Sequence, residues 1–298
     1  MTIHELNEKI QALRIVINRF QLNALNGELD GIVDYFDQKR RIVSIIGSSS
    51  SGKCSLVNAL VEKDLLPTKV FKPRVFYRIT QGNETGFFET SSGKRIPYDG
   101  PASINQYSKN DYDVILKLTT QDGLMANPNL EIRTGFDIDN NCRPLDYLMS
   151  DVVVLCAKAT SLFSLEEMSV LNNLIKSGHS KIMICITHVN NVNAKDFPEI
   201  VRFIESKQLN HPVVFFSDEP IDSVPVVIRN SFGIGQIMQT LMGLLGDGVD
   251  YNQRLQISDS VINGIADACV KELVIKKNTK GARKRKQIRK ISKNSSSK

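Results

Sequence analysis

The sequence lacks the features that would place it in a membrane or a secretory pathway. No stretch of its 298 residues approaches the roughly 18 consecutive apolar residues that span a bilayer. The first ten residues, MTIHELNEKI, are polar and lack the apolar core of a signal peptide. Hydrophobic residues still make up 41% of the chain, which is enough to bury a full core. We therefore predict a cytoplasmic globular protein.

Residues that build metal centres and catalytic triads are also few. The cysteines are five in number, without paired or metal-like spacing, and the four histidines are scattered along the chain. Because no triad, paired acids or zinc ligands form a recognisable pattern, the sequence names no catalytic residue and no metal ligand. We predict reduced thiols at all five cysteines, which are Cys54, Cys142, Cys156, Cys185 and Cys269.

Acidic residues are missing from the end of the chain. Residues 276–298 hold 11 of the 38 Lys and Arg residues and no acid, so the rest of the chain, with 27 basic and 32 acidic residues, is net acidic. Such a charged, Ser-rich segment with few apolar residues is expected to be disordered on its own. Its partner could be anionic lipid, nucleic acid or an acidic protein, or the segment could only keep the chain soluble.

Both ends of the chain carry helical patterns. Apolar residues recur every three or four positions from Ile3 to Phe20, which predicts an amphipathic helix, and a second helix is expected from Glu28 to Lys39. Near the other end, Ile262, Ile265, Cys269 and Leu273 follow the same spacing. We predict an N-terminal helical segment (1–40) that packs on a C-terminal helix (248–275).

The middle of the chain reads as an α/β domain. Short β-rich runs are followed by continuous apolar strands that alternate with helices, which implies a mostly parallel sheet covered on both faces. Ser164 and Glu167 form a capping box before one of these helices. The helices are predicted at 144–149, 165–176, 196–206 and 235–245, and the later strands at LEIRT, DVVVLCA, KIMICIT and PVVFFS.

One stretch, SIIGSSSSGKCSLVNAL, departs by a single residue from a phosphate-binding loop, which is Gly, four residues, Gly, Lys and then Ser or Thr. It lies between a predicted strand and a predicted helix, as that motif requires. Backbone N–H groups, the helix dipole and Lys53 would hold the phosphates. The predicted contacts are Gly47, Ser48, Ser49, Ser50, Ser51, Gly52, Lys53, Cys54 and Ser55.

Cys54 stands where the motif has the hydroxyl that binds magnesium. Magnesium prefers oxygen ligands, so a thiol at this position should weaken metal binding. The alternative is a tolerated small side chain whose role passes to a water molecule. The sequence therefore predicts weak magnesium binding at this phosphate site.

At this point the sequence resembles the GTPase domain of bacterial dynamin-like proteins. The resemblance rests on IIGSSSSGKCSLVNALVEKDLLPT and on DYLMSDVVVLCAKATSLFSLEE, and it extends from Arg41 to Gly246. It implies a P-loop NTPase fold with a dynamin-type G domain over 41–247, GTP or GDP as ligand, and flanking helices placed like the family's neck.

Several motifs of that family are altered in this chain. The resemblance puts Arg74 at the position of the switch I Thr, and Arg133 at that of the Asp of Asp-Thr-Pro-Gly, with Thr134 retained and Gly135 displaced. Arg133 is then either an exposed loop residue or a cation that neutralises phosphate in place of metal. The base-reading motif falls on Thr187, His188, Val189 and Asn190, and the last guanine-contact turn on Ser217.

These departures lead to three functional hypotheses. The first is a GTP-binding protein with weak or absent hydrolysis that serves as a partner subunit, for a longer dynamin-like protein or for itself, in membrane remodelling or vesicle formation. The second is an active GTPase, and the third is a scaffold that binds no nucleotide and works through its basic tail. Dynamin kinship favours an anionic membrane as the tail's partner, with peripheral attachment, over nucleic acid.

Overall fold

The computed structural model describes residues 2–68, 75–90, 93–100, 103, 114–139, 147–221 and 224–295. The chain divides into two compact units, one formed by Met1–Asp37 with Leu255–Lys298 and the other by Gln38–Arg254. The second unit is longer at both ends than the 41–247 range that the sequence predicts. Among the described helices, none combines the length and the apolar character that crossing a bilayer requires.

The larger unit is built on one sheet, in which the described strands follow the order β4-β3-β5-β2-β6-β1-β7-β8-β9. The five neighbouring strands β6, β1, β7, β8 and β9 are mutually parallel, whereas β2 runs antiparallel to β6. The predicted mostly parallel α/β fold is therefore confirmed. The strands are β1 (Arg41–Gly47), β2 (Val75–Gln81), β3 (Thr85–Glu89), β4 (Arg95–Pro97), β5 (Val114–Thr120), β6 (Leu130–Asp137), β7 (Val152–Lys158), β8 (Ile182–Thr187) and β9 (Val213–Phe215).

Burial explains why the central strands read as continuous apolar runs. All residues of β8, and all but one each of β1 and β7, are buried, because helices cover both faces of a parallel sheet. The helices of this unit are α3 (Lys53–Leu60), α4 (Leu165–Lys176), α5 (Phe197–Ser206) and α6 (Ile234–Leu245). The capping box of Ser164 and Glu167 is present at the start of α4. Residues 144–146 of the predicted helix over 144–149 lie outside the described residues, and residues 147 and 148 are helical.

The smaller unit contains α1 (Ile3–Phe20), α2 (Asn26–Asp37) and most of α7 (Tyr251–Ser295). Leu6, Ile10 and Ile17 of α1 are buried, whereas Ile3 and Phe20, at the ends of the predicted apolar stripe, are exposed. The described side chains of α7 that are buried in this unit are Ile257, Ser258, Val261, Ile262, Ile265 and Cys269. An ion pair joins Lys9 Nζ to Asp259 Oδ1 at 2.6 Å.

The basic end of the chain is helical as far as Ser295, where α7 ends. The sequence predicts a disordered tail over 276–298 for the segment on its own. Lys, Arg, Ala and Gln have high helix propensity and the segment contains no proline, so a helix that has already been nucleated can extend into it in spite of Gly281.

The first turn of α7 is attached to the starts of two strands in the larger unit. The buried guanidinium of Arg254 donates from Nε to Asp151 Oδ1 at 2.7 Å and from one terminal nitrogen to Asp151 Oδ2 at 2.6 Å. It also donates to the backbone carbonyls of Gln38 and Arg40, and Asp151 accepts from the Ile42 backbone N–H. The pair is therefore almost fully satisfied although it is buried.

Candidate functional site

The predicted phosphate loop connects β1 to α3, and its two glycines cannot be replaced without displacing neighbouring atoms. A Cβ atom on Gly47 would lie 2.4 Å from the Cys156 backbone oxygen and 2.5 Å from Ser51 Oγ. Gly52 has a φ of +76°, a backbone conformation that residues with a side chain rarely adopt. A Cβ atom added to it would lie 3.2 Å from the Thr187 side chain. The loop is thus curled tightly over the ends of the central strands.

Lys53 lies at the first position of α3, and its ammonium group is turned back over the loop. Its Nζ donates to the backbone oxygens of Gly47 at 3.1 Å and Ser48 at 2.7 Å, and to Asp137 Oδ1 at 2.7 Å. Only 6% of the side chain is exposed. Ser51 Oγ is buried and has no hydrogen-bond partner among the described residues. A buried cation at a helix N-terminus beside an unsatisfied hydroxyl suits an anion such as phosphate.

The acid at the end of β6 is Asp137, and the predicted assignment of this position to Arg133 is wrong. Arg133 lies in the middle of β6, opposite Ser44 of β1, and is bound to Glu131 at 2.6 Å, so it is neither an exposed loop residue nor a phosphate ligand. Asp137 is paired with Gly47 in the sheet register and touches Lys53. The loop therefore keeps a carboxylate where the sequence had predicted a cation.

Two further acids contact the loop. Both oxygens of Asp139 accept from the Ser49 backbone N–H, at 3.0 and 3.2 Å, and Glu167 Oε1 accepts from Ser48 Oγ at 2.8 Å. Glu167 is buried and its other oxygen accepts from the Ser164 N–H, so the cap of α4 also holds the loop. An anion entering the loop competes with Asp139 for the Ser49 amide. Arg74, the predicted switch I match, lies outside the described residues.

Thr187 and His188, predicted as base contacts, bind backbone oxygens of the phosphate loop. The hydroxyl of Thr187 donates to the backbone oxygens of Ser51 at 2.9 Å and Ala157 at 3.2 Å. His188 has a left-handed backbone conformation, with φ of 54°, and its Nε2 lies 3.0 Å from the Ser50 oxygen. The structure thus brings both residues to the loop, but the Thr187 hydroxyl is committed to the protein itself.

Asn190 and Ser217, the other two predicted base contacts, meet at a residue that the sequence reading missed. Asn190 Nδ2 donates to Glu219 Oε2 at 2.8 Å, and Ser217 Oγ donates to the Glu219 backbone oxygen at 2.7 Å. The three residues follow β8 and β9, whose carboxyl ends lie at the same edge of the sheet as the loop. The sequence signal that could have identified Glu219 is its position, two residues after the predicted contact Ser217.

Cys54 does not suit a magnesium ion. Its side chain is half-buried in the first turn of α3, and burial raises the pKa of the thiol to about 11, so the group is neutral near pH 7. A neutral thiol is a poor ligand for a hard cation, and the nearby Asp137 carboxylate is already bonded to Lys53. Within the described residues, no group of three or more His, Cys, Asp or Glu side chains could hold a metal ion. We assign no metal-dependent step to this site.

The fold has counterparts among solved structures, although no protein-family model and no curated protein matches the chain. Two structures of an oligomerised bacterial dynamin pair, which senses and tethers membranes over long range, match with TM-scores of 0.56 and 0.55. Sequence identity is 15% and 14%, over 95% and 94% of this chain.

The chain spans 50% and 58% of the length of those two dynamin structures. Era, in complex with MgGDPNP and a fragment of 16S ribosomal RNA, matches 72% of this chain and 59% of its own, at 17% identity and a TM-score of 0.40, which is too low to inform the site. The match to the dynamin structures covers almost the whole of this chain and shows a common fold. The chain has the fold of a bacterial dynamin-like G domain, with a glycine loop between β1 and α3.

Proposed function

We propose that this chain binds GTP or GDP at the loop formed by residues 47–53 and hydrolyses it weakly or not at all. The single observation that carries the proposal is the buried Lys53 ammonium at the N-terminus of α3, in the same loop as a Ser51 hydroxyl that has no hydrogen-bond partner among the described residues. The two glycines allow the tight curl of the loop, because a side chain at either position would be pushed into Cys156 or Thr187. The dynamin-like fold supports a guanine nucleotide as the ligand.

Weak hydrolysis follows from the position of Cys54. A thiol with a pKa of about 11 cannot replace the hydroxyl that P-loop enzymes use to hold the magnesium ion of the bound nucleotide. Without that ion, the charge that develops on the transferred phosphoryl group loses its main stabilising partner. Binding without efficient turnover is therefore the output that these residues favour.

Nucleotide binding is tested by titrating GTP, GDP and ATP into the whole chain and into Lys53→Ala, with Lys63→Ala as the matched control. Lys63 is a surface lysine paired with Glu84, so its loss leaves the loop intact. A ligand at 100 times its Kd should add about 2.7 kcal/mol to the free energy of unfolding of the wild type. Lys53→Ala should lose that gain. The proposal would be refuted, and the scaffold alternative favoured, if Lys53→Ala and Lys63→Ala gained equal unfolding free energy from the ligand, or if the wild type gained none.

An active GTPase is the second candidate, and Asp137 favours it. In P-loop NTPases an acid at the end of a neighbouring strand helps to hold the metal, and this chain keeps a carboxylate there. Phosphate release from GTP well above the buffer rate, abolished in Lys53→Ala, would establish this second function. Release at the buffer rate despite measurable binding would support the first.

We further propose that the chain acts as a partner subunit, for itself or for a longer dynamin-like protein, on an anionic membrane. The proposal is supported by the oligomerised dynamin pair that the fold resembles and by the basic residues of 276–298. Near a charged leaflet each Lys or Arg contributes about 1 kcal/mol to binding. Sedimentation with vesicles that contain phosphatidylserine should deplete the chain from solution, and replacement of the eleven basic residues by Gln should abolish this. Depletion by neutral vesicles to the same extent would count against it.

A further inference from the structure

Glu219 lies at the sheet edge where the phosphate loop is, and its backbone is fixed there. The residue follows β9, and the Ser217 side chain closes a short turn around it by donating to the Glu219 carbonyl at 2.7 Å and accepting from the Glu219 N–H at 3.3 Å. The residue itself is exposed. The turn therefore holds an acid in place while leaving it accessible to a ligand.

The carboxylate of Glu219 is fixed by Asn190. The Asn190 Nδ2 donates to Glu219 Oε2 at 2.8 Å, while the Asn190 Oδ1 is buried and has no partner among the described residues. The opposite orientation of the amide would place its oxygen against the carboxylate, so the hydrogen bond fixes which atom faces Glu219. The amide oxygen of Asn190 therefore faces the protein, and its donor group positions Glu219.

A neighbour of Asn190 in the chain contacts the phosphate loop. His188, two positions before Asn190, has its Nε2 3.0 Å from the Ser50 backbone oxygen. Asn190 and Glu219 therefore lie on the segment and next to the strand end that flank this contact. A carboxylate held at this point can accept two parallel hydrogen bonds from one ligand edge, because each of its oxygens has two lone pairs.

We infer that Glu219 is the residue that reads the purine, and that Asn190 and Ser217 are positioning residues for it. The inference rests on the proposed nucleotide binding and names its specificity determinant. Guanine presents two neighbouring donors, N1–H and the 2-amino group, which suit a carboxylate. Adenine presents one donor next to an unprotonated N1, which a carboxylate repels. The site should therefore select GTP over ATP although Asn190 stands at the position where the base-reading motif of the resembled family has an aspartate.

The test compares GTP, ATP and XTP binding to the full chain as wild type, Glu219→Gln and Asp218→Asn. Asp218 is the exposed acid next to Glu219, and the bonds between Ser217 and Glu219 do not use its side chain, so its variant makes the same charge change while keeping those bonds. The wild type and Asp218→Asn should prefer GTP over ATP by about tenfold or more, as expected for one hydrogen bond to a charged group. Glu219→Gln should lose that preference and gain affinity for XTP, whose 2-oxo group accepts from an amide. The gain distinguishes a changed specificity from a damaged fold.

A second variant separates the two possible readers. Asn190→Asp places a second carboxylate 2.8 Å from the position of Glu219 Oε2, and repulsion should displace Glu219, so we expect weaker GTP binding. If Asn190 were itself the reader, the same variant would bind GTP more tightly, and the inference would be overturned. Unchanged GTP to ATP ratios in Glu219→Gln would overturn it as well. A wild type that binds no triphosphate at all would instead refute the proposed function.

Discussion

Replacing Cys54 by Ser should make nucleotide binding depend on magnesium. With a pKa of about 11, roughly one thiol in 3,000 is ionised at pH 7.5, so in the wild type almost every molecule presents a neutral sulfur to the metal. A serine hydroxyl is an oxygen ligand and needs no deprotonation to coordinate magnesium. Asp137 lies at the same end of the sheet, where its Oδ1 accepts from Lys53. The variant therefore supplies one oxygen ligand where the wild type has sulfur.

The assay is the Kd of a fluorescent GTP analogue, measured in millimolar magnesium and in EDTA. Wild type and Cys54→Ala, the matched control, should give the same Kd in both buffers. Cys54→Ser should bind about tenfold more tightly with magnesium, equivalent to about 1.4 kcal/mol. A wild type that already shows this magnesium dependence would refute the reasoning, since the thiol would then be an adequate ligand or the ion would be held elsewhere.

Three further predictions concern stability and competition at the loop. Arg254→Met should lower the free energy of unfolding in urea by about 3–5 kcal/mol, because it leaves the Asp151 carboxylate buried without its cation. Burial lowers the pKa of His179 from 6.5 to about 4, so the wild type should lose up to about 3 kcal/mol as the pH falls from 6.5 to 4, whereas His179→Gln should not. Asp139→Asn should tighten triphosphate binding about threefold to tenfold, because it weakens the internal competitor for a loop amide.

Each of these predictions has a control in the same unit. Lys181→Met breaks the surface pair with Asp250 and should change the free energy of unfolding by no more than about 1 kcal/mol. If Arg254→Met lost no more unfolding free energy than Lys181→Met, the buried pair would contribute no more to stability than the surface pair. A wild type whose stability is flat between pH 6.5 and 4 would contradict the neutral state of His179. Asp122→Asn, which removes an acid away from the loop, should leave the nucleotide Kd unchanged.

The fold could be predicted from the sequence because the deciding signals are local. Central strands buried on both faces are continuous apolar runs, as in Val152 to Ala157. The capping box of Ser164 and Glu167 marks the start of α4 in the sequence. The glycine loop is also local, since Gly47 and Gly52 are required by backbone conformation and close approach. Each of these features can be recognised within about a dozen residues.

The acids of the site could not be placed in the same way. The register of β6 against β1 shifts between Ser44 and Ile46, where Gly135, with φ of +95°, provides the extra residue of a bulge. The resemblance matched the family's Asp-Thr-Pro-Gly at Thr134 and so put the acid four residues too early, at Arg133. Glu219 was missed for another reason, because its bond to Asn190 joins two loops that only the parallel sheet brings together.

The attachment of Arg254 to Asp151 decides where this chain can be cut for biochemical work. A fragment that stops at residue 247, the end of the G domain expected from sequence, would delete the guanidinium while retaining the carboxylate and the two carbonyls that it satisfies. Such a truncation would inherit unpaired polar groups in its interior and should be prone to precipitation. A fragment intended to contain the larger unit should begin before Gln38 and end beyond Arg254.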